Sequence, residues 1–503
     1  MLLAIVYRTR YTNGMERAEL KKREQEFLTT EKEKYPELFE RLETVDNQEF
    51  LRDYGIYIPG KDHFPKGRVK VLPSDFIVEE TTSSGNLCTI DFSDDKEKGK
   101  ENNTDGQNQT NGLNSPTYAT LVKCGISTID AIDDITKKLE LDPHRHDAIG
   151  YAGIKDKEAI TAQEISFRNV PADALTKISS DEYFLKDVLR GKGMIAKGDL
   201  QKNKFTILVR TNELDTEKTA TIVTNQIRQI KECGFYNYYY LQRFGNPRLI
   251  NFVWGVHIIK GEYRQAVEHY LSYAAPRELE YFRGIRRKIG SLMGMGKWDE
   301  IAKILEPFPL IFLNESRMVN HLRAHPADYL GALLAVPDQV LLWVYAVPSL
   351  LFNEKIAALL ECGKSVPASL PLVLSENPAD TELYREQLQA LDLYPLRFNY
   401  LRPFKNIYIR HRNVPTLEPV EFHATDIVPE GMLISFSLGK GEYATTFLSH
   451  IFNLTAGNQE DKNSNNKNRH VNIIDCKNIL EGKNMQKTLD FFAKQINKNQ
   501  EEE

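Results

Sequence analysis

Residues 150–163 read Gly150-Tyr-Ala-Gly-Ile-Lys-Asp-Lys-Glu-Ala-Ile-Thr-Ala-Gln163. Gly150 and Gly153 bracket a tight turn that presents Lys155 and Asp156 ahead of a strand expected over Glu164 to Phe167. Glycine reaches backbone conformations that other residues resist, so such a loop suits a side chain that must be placed accurately. As a bare pattern Gly-x-Lys-Asp is weak, because a surface turn with a local ion pair reads the same way. It is not a phosphate-binding P-loop, since the spacing and the trailing Gly-Lys-Ser/Thr are missing.

Outward from this loop the chain alternates helix and strand patterns. Ser127 is a candidate N-cap, and Ile129, Ile132, Ile135 and Leu139 follow it at helical spacing. Phe205, Ile207 and Val209 alternate with Thr206 and Leu208, and Met432, Ile434, Phe436 and Leu438 alternate with Leu433, Ser435 and Ser437. Both runs read as strands with one apolar face and one mixed face. Val223, Ile227 and Ile230 form a helix stripe that begins after Asp215 and ends at Gly234. Several strands are bounded by turns rather than crossovers, which favours a mixed α+β sheet over a doubly wound one. From about Trp254 to Pro395 helical patterns dominate, enough for a second domain of about 140 residues.

The peripheral segments read differently. Residues 15–43 are dense in Glu, Lys and Arg, with Leu20, Phe27, Leu38 and Leu42 spaced through them. They are expected to form one or two exposed helices, interrupted at Pro36, as a peripheral attachment. Between Ser93 and Pro116 the only large apolar residue is Leu113. Such a run buries too little surface to offset its ordering entropy, and a disordered insertion is expected. Gly457 to His470 has the same character, with a short amphipathic segment, Met485 to Ile496, after it.

Composition bounds the function classes. The 503 residues are 41% apolar and 27% charged, an ordinary globular balance with material for two to four domains. No stretch approaches the roughly 18–20 consecutive apolar residues of a spanning helix, so no membrane partner is expected. Met1 to Tyr7 is too short for a signal peptide. Five scattered cysteines without Cys-x-x-Cys support neither a disulfide framework nor a cysteine zinc site; a reducing cytoplasm is the simple reading. A net charge of −5 argues at first against a polyanion partner, but local charge matters more. Three basic stretches stand out: Lys186 to Arg210, Arg283 to Lys288, and Arg402, Lys405, Arg410 and Arg412.

Three further segments carry candidate chemistry. Asn237-Tyr-Tyr-Tyr-Leu-Gln-Arg-Phe-Gly245 sets aromatic rings beside amide and guanidinium groups, which is what splayed-out bases need; a buried aromatic strand with Arg243 reaching outward would look alike. Arg68-Val-Lys-Val-Leu-Pro-Ser-Asp-Phe-Ile-Val-Glu-Glu80 reads as a turn at Pro73 leading into a strand, with Lys70 or Glu79 able to face a site. Gly441-Glu-Tyr-Ala-Thr-Thr446 could close a sheet.

Together these segments resemble the TruD family of tRNA pseudouridine synthases. The resemblance is ordered: Lys-x-x-Pro-x-Asp-Phe-x-Val from Lys70, the Gly-x-Lys-Asp-x-x-Ala-x-Thr-x-Gln loop, Lys197-Gly198 through Phe205, the segment ending Gln-Arg-Phe-Gly, and Tyr443-Ala-Thr. It implies an α+β fold: a mixed, largely antiparallel pseudouridine synthase sheet with flanking helices, interrupted by an inserted α/β TRUD domain. The expected division is a charged helical extension (1–60), catalytic domain (61–253), inserted domain (254–400), catalytic domain again (401–455) and a polar tail (456–503).

The resemblance places the nucleophile at Asp156, its basic partner at Lys70 and a stacking ring at Phe76. Asn237 and Tyr239 fall on the family's Asn and the aromatic two places later. Lys155, Gln163 and Arg243, from the same motifs, join Phe76, Asn237 and Tyr239 as substrate-binding candidates. Three departures bear on substrate preference: Tyr240 where the family usually has Gly, adding bulk beside the pocket, Phe252 where His is frequent, and Pro348 where Gln is.

The implied reaction breaks the N1–C1′ bond of a uridine, by resemblance the one at position 13 of tRNA with messenger or other RNAs left open, turns the uracil and rejoins it through C5. It requires no metal, redox cofactor or nucleotide. A carboxylate can stabilise charge at C1′ or bond covalently to sugar or base. Flipping the nucleotide out costs a few kcal/mol, and stacking on Tyr239 could return roughly 1–3 kcal/mol. Phosphate contacts from Lys197–Arg210 and Arg283–Lys288 are expected to supply the rest. The competing readings are a catalytically silent RNA-binding protein on the same scaffold, and a glycosidase or lyase using Glu79 or Glu158 as a second acid.

Overall fold

A computed structural model describes residues 17–92, 115–142, 148–215, 217–456 and 485–501. Twelve strands form one mixed sheet. Near its middle Leu200–Arg210 pairs antiparallel with both Phe76–Thr82 and Gly431–Gly439. Phe76–Thr82 pairs parallel with Ile160–Phe167, and 160–167 pairs antiparallel with Thr117–Lys123 and Ile149–Tyr151. Tyr183–Arg190 continues the sheet beyond 117–123. On the other flank lie Glu421–Val428, Lys66–Arg68, Asn453–Ala456 and Thr44–Val45. Among the described residues only the pairings of 76–82 with 160–167 and of 66–68 with 453–456 are parallel, so the sheet is mixed and largely antiparallel.

The alternation read from the sequence decides which face each side chain takes. Phe205, Ile207 and Val209, with their register partners Phe436, Ile434 and Met432, lie in one apolar cluster, covered by helix Glu217–Cys233 through Val223, Ile227 and Ile230. Leu208 and Leu433 belong to the other face, with Ile77. That face is covered by helices Met485–Phe491 and Ala493–Glu501, which bury Met485, Leu489, Phe492 and Ile496. The expectation of a polar tail over 456–503 is corrected here: its amphipathic segment is part of the core. A sheet with apolar residues on both faces needs two covers, and the chain end supplies the second.

The middle region is built of helices packed round Trp254, Tyr270 and Trp343. Helix Pro337–Glu361 is long and apolar enough to cross a membrane, but 78% of its most apolar window is buried within the protein. It serves two cores at once. Trp343, Val344, Val347 and Leu351 face the helical cluster, while Ala346, Leu350, Phe352 and Ile356 belong to the cluster under the sheet. A short ribbon, Ser369–Leu372 with Arg412–Pro415, closes the junction where the chain returns.

The amino-terminal expectations are corrected in two places. Helix Arg17–Lys34 is docked on the middle region rather than loosely attached: Leu20 and Glu24 are buried, and the Glu24 carboxylate accepts from the N–H groups of Leu310 and Ile311 at 2.7 and 3.0 Å. Residues 44–58 belong to the sheet domain rather than to an extension ending at 60. Thr44–Val45 pairs with 453–456, and Leu51, Ile56 and Ile58 are among the most buried residues of the sheet's cluster. The expected disordered insertion, 93–116, lies outside the described residues except for Ser115 and Pro116, and so does Gly457 to His470.

Candidate active site

The loop at 150–159 joins strands 149–151 and 160–167, so it emerges at one end of the sheet beside the parallel partner 76–82. Gly150 is required by a close approach, since a Cβ there would lie 2.4 Å from the Ile195 carbonyl oxygen. Gly153 is different: nothing lies within 4 Å of where its Cβ would be. Buried polar side chains grip the loop's main chain from behind. Gln163 Nε2 donates to the Gly153 carbonyl at 2.9 Å. Thr128 Oγ1 accepts from the Lys155 N–H at 3.0 Å and donates to Gln163 Oε1 at 3.0 Å. Lys123 Nζ donates to the Asp156 carbonyl at 2.6 Å and the Ile126 carbonyl at 3.0 Å. Lys123 is fully buried, and that burial pulls its amine down to about 7 against the opposing pull of Asp156.

Held in this way, the Asp156 side chain is 48% exposed, and Lys70 Nζ stands 3.1 Å from its Oδ1. An ion pair this open is worth about 0–1 kcal/mol, so it orients the carboxylate more than it stabilises the fold. Lys70 reaches it from a left-handed backbone (φ +60°), a conformation that costs a non-glycine residue of order 1–3 kcal/mol and persists only where the surroundings impose it. The turn that follows is fixed by Asp75, whose carboxylate accepts from the Leu72 N–H at 2.9 Å and pairs with Arg210 through two 2.7 Å bonds. The Lys70 amine also lies 4.5 Å from the centroid of Phe76.

A second group is assembled round 237–243. Tyr239 exchanges both main-chain hydrogen bonds with Asn353 of the shared helix, at 2.9 and 2.8 Å. Its ring meets Phe352 edge-on, and the Arg243 guanidinium lies 4.9 Å from its centroid. Burial raises the Tyr239 phenol's pKa, opposed by the charges of Arg243 and Arg412. The Asn237 amide donates to the Pro415 carbonyl at 3.1 Å and Glu418 Oε1 at 3.0 Å. Tyr239 and Val69 pack against the apolar cluster that contains Phe76. Among the described residues no hydrogen bond or ion pair joins this group to Lys70 and Asp156.

Several candidates therefore have different places from those expected. Lys155 is turned inward, its amine 2.6 Å from Glu80 Oε2 and 2.7 Å from Asn203 Oδ1, and is not presented to a substrate. Gln163, fully buried, braces the loop instead of contacting a base. Phe76 is only 2% exposed and packs on Phe205, a floor beneath Lys70 rather than an open stacking face. Tyr240 adds no bulk to a pocket: it is buried in the core with its hydroxyl on Asp46, 2.8 Å away. Glu79 is also buried, accepting from the Ile90 N–H at 3.0 Å, so one of the two candidate second acids is spent on structure.

The two basic stretches expected to hold phosphates are largely neutralised. Lys202, Lys204 and Arg210 pair with Glu421, Glu79 and Asp75. Arg283 and Arg287 both pair with Glu280, and Arg286 is buried between Glu278 and Glu315. Sequence reasoning missed Lys123 and Asn353. Each had a signal: a lysine ending the apolar strand 117–123, and a lone amide in the apolar run at 350–353.

Sheet and site together define a class, an α+β protein with a mixed, largely antiparallel sheet and one lysine-held aspartate on a braced loop. Residues 56–372 match the family model described as tRNA pseudouridine synthase D (TruD), a span that contains every candidate site residue. A Methanopyrus kandleri protein named "Probable tRNA pseudouridine synthase D" is 30% identical over 363 residues, 68% of this chain and 87% of that one. A Methanocaldococcus jannaschii protein, "Probable tRNA pseudouridine synthase D 1", is 27% identical over 406 residues, 77% and 95% of the two chains. A Methanosarcina mazei crystal structure titled "Putative tRNA pseudouridine synthase D (TruD)" shares the fold, with a TM-score of 0.60 at 22% identity over 80% of this chain and 97% of that one. The chain belongs to the TruD family of tRNA pseudouridine synthases, which are isomerases.

Proposed function

We propose that this chain converts a tRNA uridine, the one at position 13, to pseudouridine, with Asp156 as the group that meets the reacting nucleoside. The observation that carries the reading is the Asp156 carboxylate, half-exposed at a loop whose main chain is braced by buried side chains and 3.1 Å from the Lys70 amine. Such bracing favours catalysis by positioning, since a misplaced carboxylate loses most of its advantage. The open space beside Gly153 gives the substrate room to approach.

In this mechanism the target nucleotide leaves its stack and the N1–C1′ bond breaks while Asp156 stabilises or bonds to the deficient centre. The uracil turns, C5 bonds to C1′, and the C5 proton is lost as N1 regains one, so no net atoms are exchanged. Lys70 orients the carboxylate and balances its charge. Among the described residues no group of three or more His, Cys, Asp or Glu is arranged to hold a metal, and no step here calls on one. The free thiols of Cys88, Cys124, Cys233 and Cys362 suit a reducing, cytoplasmic setting.

The test is incubation of the purified protein with an unmodified tRNA transcript, followed by pseudouridine mapping. Product at position 13 is expected. Product only at another position would overturn the position, and no product on any tRNA would overturn the activity.

A further inference from the structure

The third basic stretch differs from the other two. Arg402, Lys405, Arg410 and Arg412 are all exposed, and among the described residues none is ion-paired. Among the described residues the one polar contact made by their cations is from Arg402 Nη2 to the neutral Asn399 Oδ1, at 3.1 Å. The nearby acid Asp380 is held by His411 at 2.8 Å. Between Lys405 and Arg410 in the sequence stands Tyr408, 69% exposed, next to the partly exposed Ile409. Its main chain is nevertheless fixed. The Tyr408 N–H donates to Tyr345 Oη at 3.1 Å, that hydroxyl donates to the Tyr408 carbonyl at 3.2 Å, and Ile407 is buried just before it.

An aromatic ring left outside on a held backbone is ordered in advance, so a flat partner stacks on it at little entropic cost. Rings set among unneutralised cations suit single-stranded nucleic acid, offering faces to bases and charge to phosphates. The run also leads directly into the candidate site. Arg412 opens the strand whose last residue, Pro415, receives the Asn237 amide, and Thr416 receives the Asn237 N–H at 3.0 Å. The charge of Arg412 is felt at the Tyr239 phenol.

We propose that residues 402–412 form the surface on which the tRNA strand flanking the target nucleotide lies, with phosphates on Arg402, Lys405, Arg410 and Arg412 and an unpaired base on Tyr408. The inference rests on the tRNA reading above and adds the place of contact. It is tested with the full-length protein, an Arg402→Gln/Lys405→Gln/Arg410→Gln variant and a Tyr408→Ala variant. Affinity for an unmodified tRNA transcript is measured by filter binding across a salt series.

The triple variant is expected to bind at least about tenfold more weakly near 0.1 M salt, with the log Kd against log salt slope reduced by about two. Tyr408→Ala is expected to weaken binding by about five- to a hundredfold. Wild-type affinity and slope in both variants overturn the proposal. In the unmutated protein, tRNA carrying 4-thiouridine is expected to photocrosslink within residues 400–412, and crosslinks confined elsewhere also count against it. If the wild type binds tRNA and the variants lose that binding, but no pseudouridine forms, the surface stands and the activity falls. If the wild type binds no tRNA, both fall.

Discussion

Lysine does three separate jobs round the loop that carries Asp156. Lys70 faces the carboxylate, Lys123 holds the main chain behind it, and Lys155 is buried against Glu80. In the proposed mechanism only the first takes part in the chemistry. Removing one partner of a buried ion pair leaves a desolvated charge, at a cost of about 3–5 kcal/mol. Lys155→Met is therefore expected to lower unfolding stability by about that much, while the KM for tRNA changes little. Denaturant unfolding together with steady-state kinetics checks this, and a large KM change at unaltered stability would return Lys155 to the substrate.

Lys123 makes a prediction with a sign. Its folded pKa, about 7, lies below the ordinary lysine value of 10.5, so between those values the unfolded chain binds more protons. Its contribution to stability thus rises with pH across that window and is lost as pH falls towards 7. Lys123→Met removes the titration. The stability difference between variant and wild type should move in the variant's favour between pH 9 and pH 7. An unchanged difference at the two pH values would contradict the burial argument.

At the scale of elements, legibility followed local patterning. The strands through Phe205–Val209 and Met432–Leu438 were readable because alternation is a property of a few consecutive residues, and so was the helix stripe Val223–Ile230. What covers a sheet's second face is not local. Leu208 and Leu433 showed that the face was partly apolar, but nothing near them named Met485 to Ile496 as its cover. The site was half legible for the same reason. Motif resemblance located Lys70 and Asp156, which the structure brings together, yet it could not tell a side chain that faces substrate from one that braces the loop. Gln163 and Lys155 lie in the same motif as Asp156 and differ from it only in direction. Phe492 tests the cover. Its side chain is fully buried and stacks on Phe184, so Phe492→Ala is expected to cost about 3–5 kcal/mol in denaturant unfolding. A cost below about 1 kcal/mol would mean that the helix is not part of the fold's core.

For the molecule as a whole, one helix links the two halves. Helix Pro337–Glu361 fills both cores and, through Asn353, fixes the main chain of Tyr239. The net charge of −5 had suggested a poor match to RNA, and the structure relocates the problem. Acidic side chains neutralise two basic stretches internally and leave the third exposed beside the site. A molecule can thus be acidic in total and still offer a cationic path to one end of its sheet.

In the proposed mechanism a single carboxylate does the chemistry while other groups do the binding. Single-turnover conversion of a tRNA transcript by excess Asp156→Asn protein, with tRNA affinity measured on the same preparation, tests it most directly. No detectable pseudouridine and an affinity within about threefold of wild type are expected. Wild-type conversion by the asparagine variant would contradict it.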